Sequence, residues 1–581
     1  QYADDICIWM NVKLKKKTPV RYIKYIQKLY QQELSNLNNY ILENGLMLSS
    51  EKTHVVIFNH GTNPSTLPVF KIGENVLQYK QSVKFLGVTL TSKLNWKPHI
   101  ESIITKAIKS LNFLKIISRQ PWGMDTNALI HLSTALIRSK LVYAQEVFFN
   151  APKSLLNKLQ SIDSKGYKLA LGVPIYTSTI KTYTELGILP LDEFRHLSSC
   201  KYILRSNAAS DFCDDELALN SNISFPKRSQ SMQCCQTIGA YTADLLKKLD
   251  LDSTNVNKQL YFHPIPSWEL NKAHFDIDHT PLIKSDNPNI LNTLVHSYIE
   301  EKYSNYLQIF TDGSVLDNHA GAGYVIPSLD IRKSFHIGKY YSIFTAELTA
   351  ILMVLNYILS FPKYLATNVL VCVDSKSVLQ SLNNNSGKIR REMIFEINYL
   401  IHQIILGGTH LCFCWVPSHV GFLYNDWADR AAKNGASKSV DSICLSISLS
   451  LQEYYHLVEQ KTWLSLKSTQ PYMNSSLNYS WCKHIIKEVY KEGIVKQNNV
   501  IVSLICRLKL NSIRTKYNKN IKCICGEKIS PEHIILHCKG MEVFLPKHKE
   551  TSLDGFFSIN NSILVISTVK DLLNSPIANF L

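Results

Sequence analysis

Five consecutive apolar residues, Val369-Leu370-Val371-Cys372-Val373, end on an acid, Asp374. An unbroken run of this kind is typical of a strand covered on both faces, which requires helices above and below a sheet. The flanking sequence supplies them. Residues 306–310 read as a strand that ends near Asp312, where Gly313-Ser314 turns the chain toward a second strand at 321–325. Residues 345–359 carry Leu348, Ile351, Leu352, Leu355 and Ile358 at helical spacing, with Glu347 as the misfit beside that apolar face. A helix is expected to begin at Ser375. A strand at 411–416, a loop at 417–422 and a helix at 425–433 bearing Asp429 complete an α/β domain over residues 301–436.

Asp312 and Asp374 at strand ends, with Glu347 and Asp429 on helices packed above them, can converge on one edge of the sheet. Four uncompensated carboxylates repel one another, and each costs several kcal/mol to bury unpaired, so divalent cations are the natural counter-charge. Oxygen-only ligands favour magnesium or manganese over zinc. Two such ions about 4 Å apart can activate water and stabilise the leaving oxygen of a phosphodiester.

In order, Thr311-Asp312-Gly313-Ser314, Thr345-Ala346-Glu347-Leu348, Asp374-Ser375, and the run Trp415 to Gly421 followed by Asn425 and Ala428-Asp429 resemble the motifs of type-1 ribonuclease H. The resemblance implies a mixed five-stranded sheet with flanking helices and two Mg2+ or Mn2+ ions on Asp312, Glu347, Asp374 and Asp429. It further implies cleavage of the RNA strand of RNA–DNA hybrids, with His419, ten residues before Asp429, assisting proton transfer or product release. Tyr424 stands where relatives of this type commonly have Gly, and Asp426 where they have Glu.

At 581 residues the chain is long enough for roughly three or four domains. Residues 1–100 read as strands and turns, among them Tyr2-Ala3-Asp4-Asp5 between two strand-like pieces, then Gly45-Leu46-Met47-Leu48 with Glu51-Lys52-Thr53, and Lys84-Phe85-Leu86-Gly87-Val88. Residues 101–205 read as helical: Ile100, Ile104, Ala107, Leu111 and Leu114 share one face. A second stretch turns Leu129, Leu132 and Leu136 inward and Arg138 and Lys140 outward. These segments, in this order, resemble the later part of a reverse transcriptase of jockey-type non-LTR retrotransposons. By that resemblance 1–100 is the C-terminal part of the palm, 101–205 a helical thumb, Asp4 and Asp5 palm metal carboxylates, and Lys52 a residue near the pyrophosphate. The family's remaining palm aspartate and fingers are not found in this sequence, so the polymerase site is expected to be incomplete and silent.

Residues 206–300 are rich in Ser, Asn, Asp and Pro and read as a linker. Residues 440–581 read as helical and basic, with Cys523, Cys525, His533 and Cys538 near the end. These are four soft ligands within one short stretch, and Gly526 permits the tight turn that a cysteine pair needs around one structural zinc. The resemblance to the same retrotransposon family also favours zinc here. Arg507, Lys509, Arg514 and Lys516 form a candidate nucleic-acid surface, in keeping with 63 Lys plus Arg against 46 Asp plus Glu and a formal charge of +17. The 14 cysteines lie scattered in apolar runs, as free thiols do in a reducing compartment, and no apolar run approaches the ~20 residues of a membrane span. An intracellular protein of the cytoplasm or nucleus is expected, without membrane contact. The alternative to a nuclease is a catalytically silent nucleic-acid-binding remnant of the same polyprotein.

Overall fold

The structure is a computed structural model describing residues 6–8, 19–58, 66–119, 124–208, 237–251, 266, 268–277, 288–361, 368–384, 390–418, 420–438, 442–469, 481–490, 495–510, 512, 523, 525–541, 545, 552–557 and 561–575. Contacts divide the chain into two compact units. The first comprises 1–199, 224–236 and 466–581, and the second 200–223 and 237–465.

In the first unit a long helix, Val20–Glu43, occupies a stretch expected to hold strands and turns. Ile23, Ile26, Leu34 and Ile41 recur on one face and are buried, so helical periodicity governs there. The hairpin at 82–91 follows the expectation, with Leu86 and Gly87 both at positive φ in its turn. Helix Lys97–Arg119 buries Ile100, Ala107, Leu111 and Leu114 as the spacing predicts. Arg138, expected to face outward, is instead buried. Its Nη2 donates to Asp163 Oδ2 at 2.6 Å and to the Leu189 carbonyl at 2.9 Å. Residues 481–575 are not a separate C-terminal domain. Ile485, Val502, Ile505, Val565 and Val569 share one apolar core with Tyr167, Leu171 and Tyr183 of helices Lys153–Ala170 and Thr179–Leu186 and the residues after them.

The second unit is built on one mixed sheet. Its strands are β1 (His274–Asp276), β2 (Leu307–Leu316), β3 (His319–Ile326), β4 (Ile331–Lys339), β5 (Asn368–Val373), β6 (His410–Trp415) and β7 (Ile443–Cys444). They lie in the order β7-β4-β3-β2-β5-β6-β1. β2, β3 and β4 form an antiparallel meander, and β5, β6 and β1 continue from β2 in parallel. The expected five strands are the inner ones. Short edge strands β1 and β7 raise the number to seven, and both come from outside residues 301–436.

Helices cover both faces. On one, α1 (Ile343–Ser360), α2 (Lys376–Asn383) and α3 (Arg391–Leu406) pack Leu348, Ile351, Leu355, Leu379, Ile397 and Ile401 against Ile309, Val369, Val371 and Phe413. On the other lie α4 (Leu423–Ala436) and helix Pro288–Tyr303, whose Leu291, Val295 and Ile299 meet Phe310, Leu370, Cys372 and Cys414. The last part of the 206–300 stretch is therefore a packed layer of the domain rather than a linker. α1 is long and apolar enough to cross a membrane by length and composition, yet most of it is buried in this core. A further helix, α5 (Leu451–Thr469), follows β7.

Candidate active site

Asp312 and Asp374 meet where the parallel ladder ends. The last β2–β5 pair is Thr311 with Val373, so the next residue on each strand is an aspartate. β2 itself does not stop at Asp312, as the sequence suggested. Antiparallel β3 continues beside it, pairing Asp312 with Gly323 and carrying the strand on to Leu316. Asp312 thus projects from an unbroken strand at a step in the sheet. Trp415, at the end of β6, donates its indole N–H to the Asp374 carbonyl at 3.1 Å and fixes the backbone of that corner.

Glu347 arrives from above, in the second turn of α1. Ser342 caps this helix by accepting from the Thr345 N–H at 3.2 Å. Gly313 makes the approach possible, since a Cβ there would lie 2.5 Å from Glu347 N and 2.8 Å from the Ala346 carbonyl carbon. On the other face Gly321 and Gly323 of β3 and Gly435 of α4 leave no Cβ between helix and strands. Backbone meets backbone, and this sets how closely α4, which carries Asp429, lies on that face.

One carboxylate oxygen each from Asp312, Glu347 and Asp374 lies within 4.8 Å of the other two. Asp312 and Glu347 are each only 5 % exposed. Burial first, and then the charges of Asp374 and Asp429, push the Asp312 carboxyl up to about 8. Burial also holds Glu347 well above its ordinary value, reinforced by Asp374 and Asp312. Asp374 is raised by burial too, against the lowering effect of a hydrogen bond from Asn425. The Gly313 N–H serves both Asp312 and Glu347. Among the described residues, Glu347 Oε2 and Asn425 Oδ1 are buried without a hydrogen-bond partner. Crowded oxygen donors, an orphaned carboxylate oxygen and upward pressure on three acids fit a divalent cation.

Asp429 stands apart from this trio. Its Oδ2 accepts from Lys433 Nζ at 2.7 Å, although its charge still reaches Asp312. His419 lies outside the described residues. Asn425 carried no role in the sequence reading, although its place one helical turn before Asp429 signals a side chain aimed at the same corner.

The cysteine–histidine cluster is assembled as expected. Ligand atoms of Cys523, Cys525, His533 and Cys538 all lie within 4.8 Å of one another. Cys523 Sγ is 3.2 Å from Cys538 Sγ, and Cys525 Sγ is 3.1 Å from His533 Nε2. Glu527 Oε2 lies 2.9 Å from His533 Nδ1, leaving Nε2 to face the thiols. The Cys525 thiol is held below its ordinary value, foremost by the backbone N–H of Glu527. Gly526 sits at φ 91°, the left-handed turn the spacing called for.

The basic run fares differently. Lys509 is turned into the protein, its Nζ 2.9 Å from Glu185 Oε1, and Arg507 donates to the Gly172 carbonyl at 2.8 and 3.1 Å. Both therefore make internal ties, Lys509 to a carboxylate and Arg507 to a carbonyl of the first unit, rather than projecting as an exposed basic run. Arg514 and Lys516 lie outside the described residues, as do Asp4 and Asp5. Lys52 is an exposed turn residue.

The RNase H family model matches residues 304–437. The chain carries an RNase H domain. It is homologous to polyproteins of jockey- and R1-type non-LTR retrotransposons. It is 24% identical over 212 residues to the RNA-directed DNA polymerase of the mobile element jockey from Drosophila melanogaster, covering 36% of this chain and 21% of that protein. To a Pol polyprotein of element R1 from Nasonia vitripennis it is 21% identical over 197 residues, covering 33% of this chain and 56% of the relative. The match thus spans about a fifth of the jockey protein and just over half of the R1 protein. Among solved structures it is similar to LC11-RNase H1 from compost, 23% identical over 23% of this chain and 99% of that one, with a TM-score of 0.21.

Proposed function

We propose that the RNase H domain is a divalent-metal-dependent endonuclease that cuts the RNA strand of RNA–DNA hybrids. The observation that carries this reading is the convergence of Asp312, Glu347 and Asp374 at the sheet step, with Glu347 Oε2 orphaned and buried. Three acids held this close in a poorly solvated corner cost stability unless a cation is bound, and that is how a structure reserves a metal site. The hybrid as substrate is supported by similarity to an RNA-directed DNA polymerase, since copying RNA into DNA leaves the template paired with its product.

Asp312, Glu347, Asp374 and Asp429 would hold two Mg2+ or Mn2+ ions. When bound, these supply an activated water and charge stabilisation at the scissile phosphate. Asn425 orients Asp374 through its side-chain amide, and the Gly313 N–H orients Asp312 and Glu347. His419, ten residues before Asp429, would assist by giving a proton to the leaving oxygen or by aiding product release. Cys523, Cys525, His533 and Cys538 would hold one structural zinc, their soft donors suited to that ion. In the same reading Asp4 and Asp5 would be a palm carboxylate pair and the helices of 101–205 a thumb, with similarity to a jockey RNA-directed DNA polymerase as the support.

The test is cleavage of a hybrid labelled on either strand, with and without magnesium. RNA fragments that require the metal, with the DNA strand intact, are expected. Cleavage that persists in chelator, or falls on the DNA strand, would reject the reading.

A further inference from the structure

Glu453 lies beyond the matched segment 304–437, near the start of α5, yet its carboxylate is buried at the head of α1. Oε1 accepts from the Ser342 N–H at 2.8 Å, the Ser342 hydroxyl at 2.8 Å and the Thr345 hydroxyl at 2.6 Å. Oε2 accepts from Arg390 Nη2 at 2.7 Å, and from the Ser450 N–H and hydroxyl at 3.0 and 2.8 Å. Arg390 closes the loop. Its Nε donates to Thr345 Oγ1 at 3.0 Å, and its Nη1 to the Ser448 carbonyl at 2.7 Å and Glu392 Oε1 at 3.3 Å.

This constellation is more than a surface ion pair. The Arg390 side chain is fully buried and that of Glu453 is 4 % exposed. Every polar atom of the Glu453 carboxylate is satisfied, the condition under which a buried pair can hold a structure in one arrangement. Arg390 also adopts φ 53°, a left-handed conformation that non-glycine residues keep only where their surroundings dictate it. What the pair grips is the capping turn of α1. Ser342 is the cap, Thr345 lies in the first turn, and Glu347 follows two residues later. An acid near a helix N-terminus also opposes the positive end of the helix dipole.

We propose that Glu453 and Arg390 are positioning residues of the metal site. By clamping the first turn of α1 they set Glu347 against Asp312 and Asp374, and residues 448–453 belong to the catalytic unit. The proposal rests on the hydrolytic reading given above. Neither residue touches the metal-binding oxygens, so their effect passes through the backbone of 342–347.

The test uses the full chain. Glu453→Gln keeps the side-chain volume but removes the charge and, with one oxygen replaced by an amide NH2, three of the six acceptor roles. Mn2+ affinity is measured by calorimetry, with Asp374→Asn as the baseline, and hybrid cleavage is followed alongside. The variant is expected to fold, to bind Mn2+ about tenfold more weakly, and to lose kcat while KM for the hybrid is kept. Val458→Ala, which thins the buried packing of the same helix, should lower thermal stability without changing Mn2+ affinity. Wild-type Mn2+ affinity and kcat in a folded Glu453→Gln would overturn the proposal, as would an equal loss of affinity in Val458→Ala. Should Glu453→Gln not fold, Thr345→Val removes one hydroxyl from the clamp and decides in its place. A wild-type chain that neither binds Mn2+ nor cuts hybrid counts against the hydrolytic reading itself.

Discussion

Lys433 Nζ lies 2.7 Å from Asp429 Oδ2, one turn along the same helix, so the fourth carboxylate is neutralised from within its own element. Asp312, Glu347 and Asp374 have no comparable partner among the described residues. The corner is thus divided into three acids under strain and one already compensated.

That division makes Lys433→Met informative. The pair is partly solvent-exposed, and such pairs contribute ~0–1 kcal/mol, so stability should hardly change. Removing a competing cation beside Asp429, one of the proposed ligands, should instead tighten Mn2+ binding by a few fold, measured by calorimetry. Weaker binding would mean that the lysine supports the site and does not compete with it.

Asp374→Asn keeps the shape of the corner and removes one charge. Hybrid cleavage should be abolished. Thermal stability without metal should hold or rise, because one member of a repelling trio is neutral. Cleavage at the wild-type rate would remove Asp374 from the ligand set.

Gly313→Ala places a methyl 2.5 Å from Glu347 N and 2.8 Å from the Ala346 carbonyl carbon, both of them backbone atoms that cannot swing away. Overpacking of this kind costs about 1–3 kcal/mol. The shift it forces falls on the turn bearing Glu347, so Mn2+ affinity should drop with the melting temperature. A variant equal to wild type in both would show that α1 can ride over the strand freely.

Much of this corner was legible because its signals are local. Val369 to Val373 announce a two-sided strand, and Asp374 follows directly; Leu348, Ile351, Leu355 and Ile358 place Glu347 on its helix. The misreadings share another cause. Arg138 looked solvent-facing because its partner Asp163 lies 25 residues away, and Lys509 looked like a phosphate ligand because Glu185 lies 324 residues away. Glu453 is 111 residues from Ser342. Periodicity reports which face a residue occupies, not which distant charge will neutralise it. The strand through Asp312 ran on past the expected turn for a similar reason: its length is set by pairing with β3, and no feature of Gly313-Ser314 reveals that.

Zinc should co-purify at one ion per chain, read by elemental mass spectrometry, and Cys538→Ser should lose it. Cys523, Cys538 and Ile534 share the apolar core that holds Val502, Val565 and Val569. Stripping the metal should therefore lower the melting temperature of that core, since structural zinc binding is folding free energy. A metal-free protein with an unchanged melting curve would make the cluster a packed set of thiols.

The acids also set a pH dependence. Burial, with the charges of Asp374 and Asp429, pushes the Asp312 carboxyl from its ordinary 3.8 up to about 8 in the folded, metal-free protein. Between these values the folded state keeps a proton that the unfolded state has released, so stability falls as pH rises through that window. Glu347 and Asp374 are raised as well and act in the same direction. Glu453 runs the other way. Burial raises its carboxyl, but Arg390 and the surrounding hydrogen bonds hold it below 4.5, so its contribution is intact above that value and lost only in more acid solution. Metal-free melting temperature should therefore decline from pH 5 to pH 8, and Asp312→Asn should flatten the decline. Magnesium should recover the lost stability, most strongly at pH 8, because it competes with protons for the same oxygens. Scanning calorimetry across that range, with and without magnesium, gives the measurement. A metal-free profile that is level or rising would mean that these carboxyls are ionised and solvated, and that the corner carries no strain for a cation to relieve.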